Sequence, residues 1–187
     1  MEDSTTSTRP FTEAIAEGQV GLGVDIVEVD RMRRILARTP SFARRVFSPE
    51  ECAYCDSKAM PETHYAARFA AKEAVLKALG TGFFAGAGVR DIEVRRNAKG
   101  RPHVVLTGRA KELSDGYGVL EIPLSLSYTH KEAVACAIAI TAGSVKASQE
   151  RDDAMEELAK QFKEARSLLD EMGEGEGEGG QGHHGTL

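Results

Sequence analysis

The chain has 187 residues, 41% of them hydrophobic and 28% charged, which is enough for one domain with a buried core but short for two. Its longest apolar run, residues 133–142, is far shorter than the roughly 20 residues of a membrane-spanning helix. The first ten residues lack the basic and apolar regions of a signal peptide. We therefore expect a cytoplasmic protein that does not associate with membranes.

The formal net charge of -5 is unevenly distributed along the chain. Residues 19–145 hold 18 Lys and Arg against 14 Asp and Glu, whereas residues 146–187 hold 5 against 11. Residues 31–45 carry six arginines and no acidic residue, so this segment is either a solvated helix face or a docking surface for an anionic partner. Only 6% of the residues are aromatic and none is tryptophan, which argues against a nucleic acid as that partner.

The first ordered element that the sequence predicts is a strand beginning near Val20. Apolar side chains alternate there with Gly21, Gly23 and Asp25, the period-two pattern of a strand. Aspartate is unfavourable inside a strand. On these residues alone, Asp25 either hydrogen-bonds nearby backbone or binds a cation.

Helices are predicted after this strand. An arginine-rich helical segment comes first, and Ser48 then caps a short helix with a proline and a capping-box glutamate after it. A longer helix is expected from about Thr63 to Leu79. Glu73 and Lys77 lie one turn apart on it, either as an exposed ion pair worth about 0.3 to 0.5 kcal/mol or directed at a ligand.

The remainder of the domain alternates strands and short connections. A glycine-rich loop covers residues 80–88, strands are predicted at 89–96 and 103–107, a short helix near 108–118, and strands at 122–129 and 132–141. Hairpin-like joins in this mixed order indicate a single α+β domain with an antiparallel or mixed sheet packed against the long helix. We assign residues 1–18 to a flexible extension and 19–145 to the domain.

Four segments carry a family resemblance. "GLGVDIVEVDR", "ARFAAKEAVLKALGTG", "NAKGRP" and "LSLSYTHKEAVACAIA" resemble, in order and spacing, the holo-acyl carrier protein synthases of the 4′-phosphopantetheinyl transferase superfamily. The resemblance covers residues 20 to about 141. It implies transfer of 4′-phosphopantetheine from coenzyme A to a serine of apo-acyl carrier protein, releasing adenosine 3′,5′-bisphosphate, for fatty acid biosynthesis.

The resemblance also assigns roles to individual residues. Asp25 and Glu73 would hold Mg²⁺ as cofactor, Glu73 and Lys77 would be catalytic, and either Glu73 or metal-bound water would accept the serine proton. The residues expected to contact coenzyme A are Arg68, Lys72, Lys77, Gly80, Gly82, Asn97, Gly100, Arg101, Pro102, Ser127, Tyr128 and Thr129. The residues expected to dock the acidic carrier protein are Arg31, Arg34, Arg38 and Arg45. A homotrimer is implied, with each active site between adjacent subunits.

One position departs from the pattern. The family usually has histidine after "SLS", where this chain has Tyr128, with His130 two residues later. His130 could replace the imidazole in part, or the Tyr128 hydroxyl could contact a phosphate. A catalytically weakened coenzyme A-binding module with a regulatory or assembly role is therefore the alternative to an active transferase.

The end of the chain lies outside the resemblance. Apolar residues at 155, 158, 162, 165, 169 and 172 follow a heptad spacing, which predicts an amphipathic helix over 146–172. This helix would lie on its own domain or associate between subunits. The glycine- and glutamate-rich residues 173–187 are expected to be disordered.

Overall fold

The computed structural model describes Ile15, residues 18–80 and residues 86–174, with side chains as far as Ser167. The elements in chain order are β1 (Gly21–Glu28), α1 (Val29–Arg38), α2 (Ser41–Val46), α3 (Pro49–Asp56), α4 (Pro61–Ala78), a 3₁₀ turn (Val89–Asp91), β2 (Ile92–Arg96), β3 (Pro102–Leu106), α5 (Gly108–Gly116), β4 (Val119–Glu121), β5 (Leu124–Tyr128), β6 (Glu132–Thr141) and α6 (Ala142–Glu174). The chain forms two units, Met1–Lys146 and Ala147–Leu187.

The main sheet of the first unit is built around β6. β1 pairs antiparallel along one edge of β6, and β5 followed by β4 pairs antiparallel along the other. β2 and β3 form a separate antiparallel hairpin. The α+β class predicted from the sequence, with antiparallel strands and one long helix, is confirmed.

Small residues let α4 approach the sheet very closely. Every fourth residue of α4 from Ala66 to Ala78 is an alanine with at most 1% of its surface exposed, and alternate residues of β6 from Ala133 to Ala139 are fully buried alanines. At Gly23 of β1, an added Cβ would lie 1.9 Å from the carbonyl oxygen of Ala74. Only glycine fits there without displacing backbone, and the close approach brings the next inward residue of β1 against α4.

A second hydrophobic cluster lies under α1, α2 and α3. Its buried side chains include Val29, Met32, Phe47, Cys55 and Tyr65. The rings of Phe47 and Tyr65 meet edge to face with centroids 5.0 Å apart. This cluster holds the arginine-rich helices against the first half of α4.

Element boundaries differ from the sequence prediction in several places. The arginine-rich segment forms two helices rather than one, with a break at Thr39 and Pro40, and α4 begins at Pro61 because proline is well suited to a first helical turn. Residues 89–91 form a 3₁₀ turn instead of strand, and the short β4 was not predicted.

The second unit contains most of α6, which begins at Ala142, four residues before the predicted start. Met155, Leu158 and Phe162 are 65%, 46% and 70% exposed. The expected heptad side chains at 169 and 172 and the tail after residue 174 lie outside the described residues. None of the described helices combines the length and apolar character needed to cross a membrane.

Candidate active site

One candidate site lies where β1 meets α4, and we call it the carboxylate cavity. It has a volume of about 470 Å³ and is lined by Asp25, Glu73, Leu76, Lys77, Ala87, Gly88 and Val89. Asp25 is two residues beyond Gly23 and therefore on the same face of the strand. The close contact between β1 and α4 thus brings together Asp25, Glu73 and Lys77, as the sequence predicted.

The charges in this cavity are coupled. Lys77 Nζ lies 2.8 Å from Asp25 Oδ1 and donates a second hydrogen bond of 2.9 Å to the carbonyl oxygen of Val24. Burial and the neighbouring Asp25 raise the pKa of Glu73 above its usual value, and Lys77 partly opposes this. Lys77 therefore forms its ion pair with Asp25 on β1, and not with Glu73 one turn earlier on α4.

A magnesium ion would suit this pair of carboxylates. In the described residues, no cluster of three or more His, Cys, Asp or Glu side chains is arranged to bind a metal. Mg²⁺ commonly uses only one or two carboxylates and fills its shell with waters and substrate phosphate oxygens. A cation between Asp25 and Glu73 would also relieve the repulsion that raises the Glu73 pKa.

A second cavity lies between α3, α4, the β2–β3 hairpin and β5, and we call it the arginine cavity. Its volume is about 330 Å³. Its polar and aromatic lining consists of Tyr54, His64, Arg68, Arg96, Ser125 and Tyr128, and Pro102 lies beside them. None of the residues that line this cavity carries a carboxylate, and none of them also lines the carboxylate cavity.

Arg68 is the most buried cation of this lining. Its surface is 5% exposed, and its guanidinium stacks 3.9 Å from the centre of the Tyr54 ring. The described residues offer its Nε no hydrogen-bond partner. Arg96 donates to the Tyr54 hydroxyl at 2.7 Å and to the carbonyl oxygen of Gly100. A buried guanidinium group with an unused donor is costly, so the cavity is suited to an anion.

The expectation that Lys72 contacts coenzyme A does not agree with the structure. Lys72 is 1% exposed, pairs with the equally buried Glu51 at 2.8 Å, and donates to the carbonyl oxygens of Val89 and Ile92. Burial lowers its pKa, while Glu51 acts in the opposite direction. The ion pair joins α3, α4 and β2, so Lys72 is a structural residue and we remove it from the candidate site.

The turn between β2 and β3 is organised by its own side chain. The Asn97 side-chain oxygen accepts from the backbone N–H groups of Lys99 and Arg101, and Gly100 has a φ of +78°. The Asn97 side-chain oxygen is therefore committed to the turn, and only Pro102 of this segment lines the arginine cavity.

Of the remaining residues expected to contact coenzyme A, some line a cavity and others do not. Tyr128 lines the arginine cavity and Ser127 does not, whereas Thr129 accepts hydrogen bonds inside the β5–β6 turn. Gly80 follows α4 with a φ of +64°. Gly82 lies outside the described residues.

The predicted docking arginines lie on α1 and α2, and Arg31, Arg34, Arg38 and Arg45 are all exposed. The neighbouring Arg33 differs, because it forms ion pairs with Asp30 and with Glu62 at the start of α4. These four residues thus form a basic surface at the first two helices.

Sequence reasoning missed Tyr54, His64 and Arg96 as members of the arginine cavity. They come from three separate elements and share no spacing with Arg68 that would mark a motif, apart from the one-turn separation of His64 and Arg68 on α4. Their proximity arises from packing between elements.

Comparison with known proteins places most of this chain in one family. A family model described as the 4′-phosphopantetheinyl transferase superfamily matches residues 21–139. A holo-[acyl-carrier-protein] synthase from Syntrophus aciditrophicus is 45% identical over 119 residues, 63% of this chain and 93% of that protein. A protein of the same name from Moorella thermoacetica is 47% identical over 116 residues, 62% of this chain and 90% of that protein.

Solved structures show the same fold. The holo-[acyl-carrier-protein] synthase of Neisseria meningitidis gives a TM-score of 0.60 at 31% identity, covering 65% of this chain and 98% of that one. The Helicobacter pylori synthase in complex with coenzyme A gives 0.57 at 29% identity, covering 64% and 99%. The fold is therefore shared with these synthases, and this chain belongs to the 4′-phosphopantetheinyl transferase superfamily.

Proposed function

We propose that this chain transfers the 4′-phosphopantetheine group from coenzyme A to a serine hydroxyl of apo-acyl carrier protein, and that adenosine 3′,5′-bisphosphate leaves. The observation that carries the proposal is the carboxylate cavity, in which Asp25, Glu73 and Lys77 meet within the family-matched residues. Similar proteins are named for this synthase activity. A binding module without chemistry would have no need of all three groups.

The residues of the carboxylate cavity have separate roles in this proposal. Asp25 and Glu73 would hold Mg²⁺, which when bound would supply positive charge against the pyrophosphate of coenzyme A. Lys77 is half-exposed, so its ammonium can contact a phosphate oxygen while it remains near Asp25. Fixed cations of this kind stabilise the charge that develops as the phosphoryl group is transferred.

The arginine cavity binds the nucleotide part of coenzyme A in the same proposal. Its support is the cationic, carboxylate-free lining and the unpartnered Nε of Arg68. Pro102 and the Tyr54 ring add apolar surface beside the guanidinium groups. Of the positions first expected to bind coenzyme A, Arg68, Pro102 and Tyr128 line this cavity.

We further propose a homotrimer in which adjacent subunits complete each active site. Leu22, Val24 and Ile26 on the outer face of β1, and Val20 just before that strand, are 46% to 63% exposed. Monomeric proteins rarely expose a contiguous apolar patch of this kind. In addition, the carboxylate cavity and the arginine cavity share no lining residue within one chain, so a site that uses both is readily built from two copies.

The carrier protein is the proposed macromolecular partner. Acidic carrier proteins would meet the exposed arginines of α1 and α2, which carry no compensating acid in residues 31–45. Complementary charge of this type mainly raises the association rate.

The proposal is tested by incubating the full chain with coenzyme A, MgCl₂ and an apo-acyl carrier protein, followed by mass spectrometry of the carrier. The carrier should gain the mass of one phosphopantetheine group, and chelation of the metal by EDTA should prevent the gain. A carrier that stays unmodified with intact coenzyme A bound would favour the binding-module alternative.

A further inference from the structure

His64 is a titratable residue of the arginine cavity for which the function above gives no role. It lies in the first turn of α4, four residues before Arg68 and therefore on the same side of the helix. Its ring meets Tyr54 edge to face at 5.8 Å and Tyr128 at 5.3 Å between centroids. The two tyrosine rings fix the orientation of the imidazole at the cavity wall.

The charged groups that act on His64 are all cations. Arg68 lies on the same helix, Arg96 on β2, and Lys58 lies over the Tyr54 ring at 4.4 Å. The titratable rings of Tyr54 and Tyr128 also face it, and His130 from the β5–β6 turn lines a neighbouring cavity together with it. The residues lining the cavity contribute no carboxylate that would balance these charges.

These neighbours favour the neutral form of the imidazole when no ligand is bound. Burial lowers the pKa of His64 below its usual value, and Arg68, Lys58 and Arg96 lower it further. A dianionic phosphate group in the same cavity would reverse the balance, because an opposite charge within a few ångströms favours the protonated imidazole. Ligand binding and proton uptake would then be coupled.

We propose that His64 forms a phosphate-monoester site with Arg68 and Arg96, and that it takes up a proton when the nucleotide phosphate of coenzyme A binds there. This inference rests on the proposed function, which supplies the ligand. The imidazolium would donate to a phosphate oxygen, a charge-assisted bond stronger than a neutral one. Because the bound phosphate would raise the pKa of His64, the contribution of His64 to affinity is greatest at low pH and is lost as the pH rises through the pKa of the liganded state.

The first test is the binding of coenzyme A and of dephospho-coenzyme A to the full-length chain and to His64→Gln, by calorimetry at pH 6.5 in buffers of different ionisation enthalpy. The unchanged chain should take up a fraction of a proton more than the variant when it binds coenzyme A. A shift of one pKa unit corresponds to about tenfold in affinity, so we expect His64→Gln to weaken coenzyme A binding by about three- to tenfold. Dephospho-coenzyme A, which lacks the monoester, should bind both proteins alike.

His103→Gln is the matched control, because it makes the same substitution at an exposed histidine of β3 that lines neither the arginine cavity nor the carboxylate cavity. It should leave affinity and proton uptake unchanged. Equal effects of the two substitutions, or no effect of His64→Gln, would overturn the inference. If transfer to the carrier is normal in that case, the proposed function stands without it.

A second measurement avoids substitution altogether. NMR titration of the imidazole of His64 in the unmodified chain, with and without adenosine 3′,5′-bisphosphate, should show a pKa raised by about one unit on binding, the size expected for a nearby opposite charge. An unchanged pKa in the presence of bound ligand would overturn the inference. Failure of the unmodified chain to bind coenzyme A at all would overturn the proposed function as well.

Discussion

The ammonium group of Lys77 on α4 lies 2.8 Å from a carboxylate oxygen of Asp25 on β1. The contact joins two residues that are 52 positions apart in the chain and fixes one wall of the carboxylate cavity. Glu73 lies beside them with a raised pKa. The pKa of Glu73 therefore depends on the charges of Asp25 and Lys77.

Substituting Asp25→Asn should lower the pKa of Glu73 toward the usual glutamate value. The like charge of Asp25 is the second cause of the upward shift, after burial, so without this charge it is mainly burial that raises the Glu73 pKa. Carbon-detected NMR of the Glu73 carboxyl group measures the change. Asp30→Asn is the control, because Asp30 pairs with Arg33 on the protein surface and should leave Glu73 unaffected. A Glu73 pKa that rises or stays constant in Asp25→Asn would contradict the electrostatic coupling.

Substituting Lys72→Met should destabilise the domain by about 3 to 5 kcal/mol, because it leaves the carboxylate of Glu51 buried without its cation. Chemical denaturation followed by circular dichroism measures the loss. Lys111→Met is a suitable comparison, since the ion pair of Lys111 with Asp115 is exposed on α5 and contributes at most about 1 kcal/mol. Equal stability of the two variants would restore Lys72 as a candidate ligand-binding residue.

Strand and helix periodicity predicted which side of β1 and of α4 Asp25 and Glu73 occupy, and the family resemblance paired the two residues as metal ligands. The expectation that Lys72 contacts coenzyme A does not agree with the structure. The motif does not reveal that α3 brings Glu51 against Lys72. His64 and Tyr54 were missed for a related reason. Their contact with Arg68 and Tyr128 depends on how α3 and β5 pack against α4, and short-range patterns carry no information about that packing.

Reversing the charge of two docking arginines, Arg31→Glu with Arg34→Glu, should raise the KM for the carrier protein and leave the KM for coenzyme A nearly unchanged. Both side chains are exposed, and the effect should shrink at high salt because exposed charges are screened. Steady-state kinetics at two salt concentrations measure it. The control is Lys160→Glu with Lys163→Glu, which changes the charge equally on α6, outside the family-matched residues. A carrier KM that responds the same way in both double variants would rule out a specific docking surface.

Substituting Leu22→Glu should reduce the proposed homotrimer to smaller species, because a charge buried in an apolar interface without a partner is costly. Leu22 is 63% exposed on the outer face of β1, so the isolated subunit should remain folded. Size-exclusion chromatography with light scattering gives the mass. Met155→Glu, a substitution at a similarly exposed apolar position of α6, asks whether that helix also contributes. An unmodified chain that is monomeric and fully active would contradict the shared-site proposal.

The roles of the two carboxylates are tested by single-turnover transfer to an apo-acyl carrier protein, with both products quantified. The unmodified chain should release one adenosine 3′,5′-bisphosphate for each carrier modified. Glu73→Gln and Asp25→Asn, which keep side-chain shape while removing the charge, should lower the rate by orders of magnitude at an unchanged melting temperature, and excess Mg²⁺ should restore part of it. A near-normal rate in either variant would contradict the assignment of Asp25 and Glu73 as the metal-binding pair.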